Sequence, residues 1–292
     1  MVYICADDYG LCHSASLHIQ ECVDRGALNK VSVFANFDQV DLQKLLENKN
    51  LRVALHLNLV EGMCMADAGE IDLLADKDGR LKRSFIGLLW LSLLRRKQFS
   101  RQVYKEIKAQ VSYWKGVLPP DVPFCMDSHQ HTHLIPGVFH ALLKVLQEEG
   151  IRLQHMRIPA EPVLPYIMTP SLYLTYGAVN IIKQWLLKFL WLFDRKAAKK
   201  HAIPTSYFLG ILFSGNMDAE RVCKILPKYI KLAEKDGRDV EVLLHPGYLG
   251  ERDPDFEKKN VVFESFYLSE KRKTEFDSAM TIQKEVCSHA FY

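Results

Sequence analysis

Four short stretches, far apart in the chain, carry carboxylate and imidazole groups at the ends of apolar runs. They are Ala6–Gly10 with adjacent Asp7 and Asp8; Ala54–Asn58 with His56; Asp127–His133 with Asp127, His129, His131 and His133; and Leu243–Gly247 with His245. Two imidazoles and one carboxylate hold a divalent cation while leaving coordination positions open to water and substrate. The remaining groups would then orient the ligands. One of two adjacent aspartates can bind the cation while its neighbour accepts a proton; the bland alternative is a turn or helix-entry pair that accepts backbone N–H groups. His56 interrupts an apolar strand, where it is either a ligand or a hydrogen-bonded core residue, because an unpartnered buried imidazole is costly. His129, His131 and His133 alternate, so on an extended segment they share one face and present a dense set of nitrogen donors beside Asp127. A surface histidine tract is the alternative. His245 follows a late apolar run, and an imidazole that titrates near neutrality suits protonation of a leaving group.

These groups meet only if the elements carrying them end on one side of the molecule. Strand-length apolar runs recur at Val2–Ala6, Val31–Ala35, Arg52–Leu59, Val122–Met126, His155–Ile158, Ser206–Leu212 and Val240–Leu244. Helix-period segments lie between them. Ser14 is read as the cap of one helix and Asp218 as the cap of another. Strand–helix alternation predicts an α/β fold with a parallel sheet. About seven strands and no GxGxxG after the first favour an irregular TIM-like (β/α) barrel of one domain, 1–292, over a dinucleotide fold. Parallel strands of such a barrel deliver their C-terminal ends to one face.

Two apolar segments interrupt the alternation, 85–97 and 171–193, and 269–292 reads as a C-terminal helix and tail. Lys183, Lys188 and the basic flanks of the first segment keep both short of a membrane span. They are expected to be helical insertions packed on the barrel or at a homodimer interface, or amphipathic surfaces in peripheral contact with a bilayer.

Composition narrows the classes. With 48% hydrophobic and 25% charged residues the chain can bury a large core. Its 38 Lys and Arg against 35 Asp and Glu leave +3, which argues against a nucleic-acid partner. Seven cysteines without a CxxC pair fit reduced thiols. Strand-like residues directly after Met1 leave no room for a secretion signal, so the expected location is cytoplasmic, with peripheral contact at the inner membrane surface as an extension.

Ala-Asp-Asp-Tyr-Gly, Leu-His-Leu-Asn-Leu, Asp-Ser-His-Gln-His-Thr-His and His-Pro-Gly-Tyr, in this order over roughly residues 1 to 280, together resemble the YdjC family of carbohydrate deacetylases, which includes chitooligosaccharide deacetylases. The resemblance implies a TIM-like barrel that removes acetyl groups from N-acetylated sugars. It further implies one divalent metal ion held by Asp8, His56 and His129, with Asp7 as base and His245 as acid. Magnesium is the family's usual ion, while this donor set also suits Zn²⁺, Mn²⁺ or Co²⁺. Tyr9 stands where Phe is frequent and Gln130 where a further His occurs. The apolar segments, Leu59–Gly62 and Met156–Pro162 look closer to the hopanoid-associated branch, which implies a glycolipid as the alternative to a soluble oligosaccharide. Arg157 and Glu161, after the fifth strand, are read as substrate-side residues or a buried ion pair; Asp127, His131 and His133 as ligand-orienting groups. A metal-dependent phosphoesterase and a non-catalytic barrel that binds sugar or lipid head groups are the competing functions.

Overall fold

The computed structural model describes residues 1–37, 42–248 and 266–290, with side chains through 282. Seven parallel strands, β1 (Val2–Tyr9), β2 (Lys30–Phe34), β3 (Arg52–Leu57), β4 (Cys125–Ser128), β5 (His155–Met156), β6 (Tyr207–Leu209) and β7 (Val240–Leu244), form one sheet in the order β5-β4-β3-β2-β1-β7-β6. All seven lie where the apolar runs predict them. The sheet curls into an irregular half-barrel whose edges nearly meet. Met156 N–H donates to the Pro204 carbonyl at 2.9 Å, and His155 Nε2 lies 3.0 Å from Ser206 Oγ.

The helices that cover the sheet are α1 (His13–Arg25), α2 (Leu42–Glu47), α3 (Phe85–Leu94), α4 (Arg96–Val117), α5 (Pro136–Glu148), α6 (Leu164–Ile167), α7 (Ala178–Lys200), α8 (Ala219–Asp236) and α9 (Glu270–Ala290). Asp218 caps α8 by accepting the Arg221 N–H at 2.9 Å. Ser14 is not the N-cap: α1 starts one residue earlier, and its N-cap is Cys12. The first apolar segment divides into α3 and the start of α4, whose buried face from Phe99 to Trp114 packs on α5. The second is a 3₁₀ turn, Pro170–Thr175, followed by α7, which runs seven residues past the predicted end.

Side-chain alternation sorts the strands into two faces. Val31, Val33, Val53, Leu55, Met126, Val240 and Val242 pack outward under the helices in the apolar core. Inward-pointing residues are polar to an unusual degree. Register pairs Cys5 with Lys30, Lys30 with Arg52, Phe34 with His56, His56 with Asp127, Cys125 with His155, and Tyr3 with Glu241. The barrel is therefore filled with charge, and buried charge is tolerated only when paired. Lys30 donates to Glu241 at 2.9 Å, and Arg157 Nε donates to the same oxygen at 2.7 Å. The Arg157 guanidinium also reaches Asp127 at 3.1 Å and Asp7 at 2.6 Å.

Candidate active site

Two backbone irregularities assemble the site at the C-terminal mouth of the barrel. In a regular strand Asp7 and Asp8 would point to opposite faces. The β1–β2 register slips between Ala6 and Tyr9, and Asp8 takes φ 69°. This left-handed conformation is one that Asp tolerates better than most residues. The bulge turns both carboxylates toward the mouth.

The second irregularity corrects the histidine reading. β4 ends at Ser128, and His129–Leu134 is a tight 3₁₀ segment in which Gln130 (φ 52°) and His131 (φ 61°) are both left-handed. The three imidazoles consequently diverge. His129 faces Asp8. His131 is buried edge-on to Phe208, with no hydrogen-bond partner for Nδ1 among the described residues. His133 turns back beneath the site, with Nδ1 2.6 Å from Ser128 Oγ and Nε2 2.9 Å from the Arg157 carbonyl. Nε2–H donating to that carbonyl leaves Nδ1 to accept from Ser128, a neutral tautomer. Burial agrees, holding His133 down to about 4 and His131 well below its ordinary range.

Asp8 Oδ1 lies 3.1 Å from His129 Nδ1 and 3.4 Å from His56 Nε2. One ligand-capable atom from each of the three residues falls within 4.8 Å of the others, a spacing that a single cation can bridge. His56 is oriented for this: Nδ1 is 2.6 Å from Asp127 Oδ1, so an Nδ1–H donated there turns the Nε2 lone pair toward Asp8. Buried Nε2 has no well-directed hydrogen-bond partner among the described residues. Asp127 is itself fixed, since its other oxygen accepts from Ser32 Oγ at 2.6 Å and faces Arg157. Imidazole, carboxylate and guanidinium thus form a chain from the mouth to the barrel interior.

Two further triads have metal-ligand spacing, Cys5–Asp127–Glu241 and Asp7–His56–Asp127. The carboxylates of the first are already taken by Lys30 and Arg157, and those of the second by Arg157. Among the described residues, the triad at the mouth is Asp8, His56 and His129, with Asp8 Oδ1 facing both imidazoles, and their chemistry fits a divalent ion.

Asp7 is gripped by Arg157, whose Nη1 donates to Oδ2 at 2.6 Å and Nη2 to Oδ1 at 2.8 Å; Oδ2 sits 3.9 Å from His56 Nδ1. His245 is held from α9: its backbone N–H donates to Glu275 Oε2 at 2.6 Å, and Nδ1 is 3.0 Å from the same oxygen. One turn earlier on that helix, Arg272 Nη2 donates to Asp8 Oδ2 at 2.5 Å and Nη1 to the Gly247 carbonyl. Helix α9 therefore ties the loop after β7 to the site carboxylate.

Electrostatics follow from these contacts. Burial pushes Asp8 up, but Arg272 and hydrogen bonds from His129 and His56 outweigh it and hold the carboxyl well below its usual range. Burial opposes protonation of His56, yet Asp7, Asp127 and Asp8 together raise it to about 10. His129 is raised to about 8 against burial, chiefly by Glu61 and then Asp8. From the interior to the mouth six buried or nearly buried carboxylates (Asp7, Asp8, Glu61, Asp127, Glu241, Glu275) face three cationic side chains (Lys30, Arg157, Arg272) and the imidazoles of His56, His129 and His245. This excess of carboxylates favours imidazole protonation or a bound cation.

Several expectations change. Arg157 is a buried anchor beneath Asp7 and Asp127, not a substrate contact. Glu161 is neither at the mouth nor paired with Arg157. It accepts backbone N–H groups from Gly210, Ile211 and Leu212 and the Tyr166 hydroxyl, fixing the loop after β6. The sequence reading missed Glu61, 3.3 Å from His129 Nε2 and bonded to Tyr267, and also Arg272 and Glu275. The i,i+3 spacing of the last two puts them on one helix face, but charged residues on a helix usually face solvent.

The model of the family described as YdjC-like protein matches residues 1–283. A carbohydrate deacetylase of Danio rerio is 29% identical over 166 residues, 56% of this chain and 51% of the relative, so the chain spans about half of that protein's length. A carbohydrate deacetylase of Mus musculus is 26% identical over 84% of this chain and 77% of its own length. A chitooligosaccharide deacetylase of Yersinia enterocolitica is 24% identical over 55% and 61% respectively. A crystal structure from Enterococcus faecalis superposes with a TM-score of 0.59 over 96% of this chain and 94% of its own, at 15% identity, which speaks to the fold alone. With the match running through every site element from Asp7 to Glu275, the chain belongs to the YdjC-like family.

Proposed function

We propose that the chain hydrolyses the acetamide of an N-acetylated sugar, releasing acetate and a free amine, with one divalent ion held by Asp8, His56 and His129. The observation that carries this reading is the convergence of those three donors beside a clamped carboxylate and a carboxylate-held imidazole. When bound, the ion supplies Lewis-acid polarisation of the acetyl carbonyl and makes a water molecule more acidic. Asp7 takes a proton from the attacking water as its oxygen bonds to the carbonyl carbon. Arg157 keeps the Asp7 carboxylate in one orientation through two hydrogen bonds. His245, oriented by Glu275, gives its proton to the sugar nitrogen as the C–N bond breaks.

The family resemblance favours magnesium, and two imidazoles with a carboxylate also suit Zn²⁺, Mn²⁺ or Co²⁺ on ligand softness. Arg157 and Arg272 are both buried against aspartates, so neither is available as a phosphate clamp, which disfavours the phosphoesterase reading. Six described thiols, none in a disulfide, support a reducing, cytoplasmic setting. Acetate release should be measured against N-acetylglucosamine oligomers, nucleotide sugars and acetamido glycolipids, with each divalent ion added after chelation. Release that needs the ion is the expected result. Release that chelation leaves intact would remove the metal from this reading, and no release from any substrate class would end it.

A further inference from the structure

We propose that the exposed faces of α3 and α7 form a docking surface for an anionic lipid bilayer, independent of what the site hydrolyses. Helix α3 turns Ile86, Trp90, Leu93 and Leu94 to solvent, with Leu94 76% exposed. Helix α7 does the same with Val179, Ile182, Trp185, Phe189, Leu192 and Phe193, each more than half exposed. On both helices these residues recur at helical spacing, so each forms an outward stripe, while the opposite face holds Leu88 and Ser92 on α3 and Leu187 and Leu190 on α7 in the protein. Water-facing apolar stripes of this length mark an interaction surface.

The charges around the stripes identify the occupant. The segment 82–97 contains Lys82, Arg83, Arg95, Arg96 and Lys97 and no acidic residue. From 164 to 200 there are Lys183, Lys188, Arg195, Lys196, Lys199 and Lys200, and the single acid, Asp194, is fully buried. A protein with a net charge of only +3 has thus made every exposed charge on these two elements cationic. Another protein copy would bring like charge to the same face. Lipid headgroups bring the opposite charge, with hydrocarbon beneath for the apolar stripe. Lys188 lies over the Trp185 ring, 5.5 Å from its centre, with its stem along apolar surface in the manner of interfacial lysines. No described helix is long and apolar enough to cross a membrane, consistent with a surface contact.

The face also has a geometric relation to the site. Both helices pack on the His129–Leu134 turn that carries the site histidine. Asn180 of α7 donates to the carbonyls of Leu212 and Ser214 in the loop after β6, whose Gly215 N–H donates to Glu275. An apolar groove of about 180 Å³, lined in part by Ile167, Tyr173, Ile181, Trp185 and Leu212, opens along this edge. A docked bilayer would lie beside the elements that frame the mouth.

The test is sedimentation of the full chain with vesicles of phosphatidylcholine containing a minority of phosphatidylglycerol, at low and high salt, with quenching of tryptophan emission by brominated lipid. Binding is expected to be stronger on anionic than on neutral vesicles and to fall with salt. The pair Ile182→Ser and Phe189→Ser should weaken it by at least about tenfold, and the pair Lys199→Gln and Lys200→Gln by about tenfold. These side chains are exposed, so the variants should keep the wild-type circular dichroism and melting temperature. Absence of binding at low salt, binding untouched by the apolar pair, or a solution dimer that the apolar pair dissociates without any vesicle binding would each overturn the proposal.

Discussion

In the barrel interior Lys30 and Arg157 meet Glu241 and Asp127 and reach up to Asp7, whereas at the mouth itself Asp8 and Glu61 are set against Arg272 and two imidazoles. Both regions bury charge, and both use residues that ligate metals elsewhere. Each of the three carboxylates Glu241, Asp127 and Asp7 has a lysine or arginine nitrogen within 3.1 Å, so they are spent on holding the strands together and orienting what lies above. At the mouth Arg272 reaches Asp8, Glu61 faces the His129 imidazole, and His56 Nε2 is directed at Asp8. A buried carboxylate cluster is therefore suited to a cation where imidazoles, in place of lysine or arginine, face its oxygens. The histidines divide in the same way. His133 and His155 are buried neutral and held down to about 4, His155 by burial and then by Lys30, while His56 and His129 are raised to about 10 and about 8.

The largest effect should come from cutting the mouth. His129→Ala is expected to abolish divalent-ion binding and lower acetate release by about 10³-fold or more. Asp7→Asn should keep the ion and lose about 10²–10⁴-fold in turnover. Metal content measured beside turnover separates the two, and a His129→Ala protein that retains its full ion would show that the ligand set is misassigned.

Cutting the interior should instead cost stability. Arg157→Met leaves three carboxylates short of a partner and should destabilise the fold by about 3–5 kcal/mol in urea. A variant as stable as the parent would break the distinction between the two regions.

The pH dependence sharpens it. As pH falls from the ordinary histidine value toward 4, the unfolded chain takes up protons that folded His133 and His155 refuse. Stability present above about pH 6.5 should then be lost by roughly 3 kcal/mol for each residue. His56 and His129 have the opposite sign: in the ion-free protein their stabilisation is complete below about pH 6.5 and is lost as pH rises through 8 and 10. Melting curves across pH should show an acid limb in both states and an alkaline limb that a bound ion removes. An alkaline limb that persists unchanged with saturating ion would contradict the shared role of these imidazoles.

The smallest effect concerns a carboxylate with only a distant partner. Asp194, on α7 against α5, is buried with no hydrogen-bond partner for either oxygen among the described residues; exposed His140 Nδ1 lies 3.9 Å from Oδ1, and burial raises Asp194 to about 7. Its cost is incurred as pH rises from about 4 through 7. Asp194→Asn should stabilise the protein above pH 7 by about 1–2 kcal/mol, because the amide fills the same site without a charge to bury. Equal stability of the two proteins at pH 8 would mean that the His140 contact offsets the burial of Asp194.

Much of the fold was legible in the chain because parallel strands buried on both sides leave apolar runs bounded by turns, as at Val31–Ala35 and Val240–Leu244. The helix ends of the two apolar segments were less so. Nothing in a continuous apolar stretch marks where a 3₁₀ turn gives way to α7. Arg157 was visible as a charged residue after a strand, but its partners lie on three other strands.

The sequence by itself determined the α/β alternation and the strand-end positions of Asp7, Asp8, His56, His129 and His245, because periodicity and residue type are local properties. Tertiary structure alone decided that a bulge at Asp8 turns adjacent carboxylates to one side, that left-handed Gln130 and His131 scatter three alternating histidines, and that a distant helix brings Arg272 and Glu275 to the mouth. Each of those outcomes depends on backbone conformation and long-range packing, which no local pattern encodes.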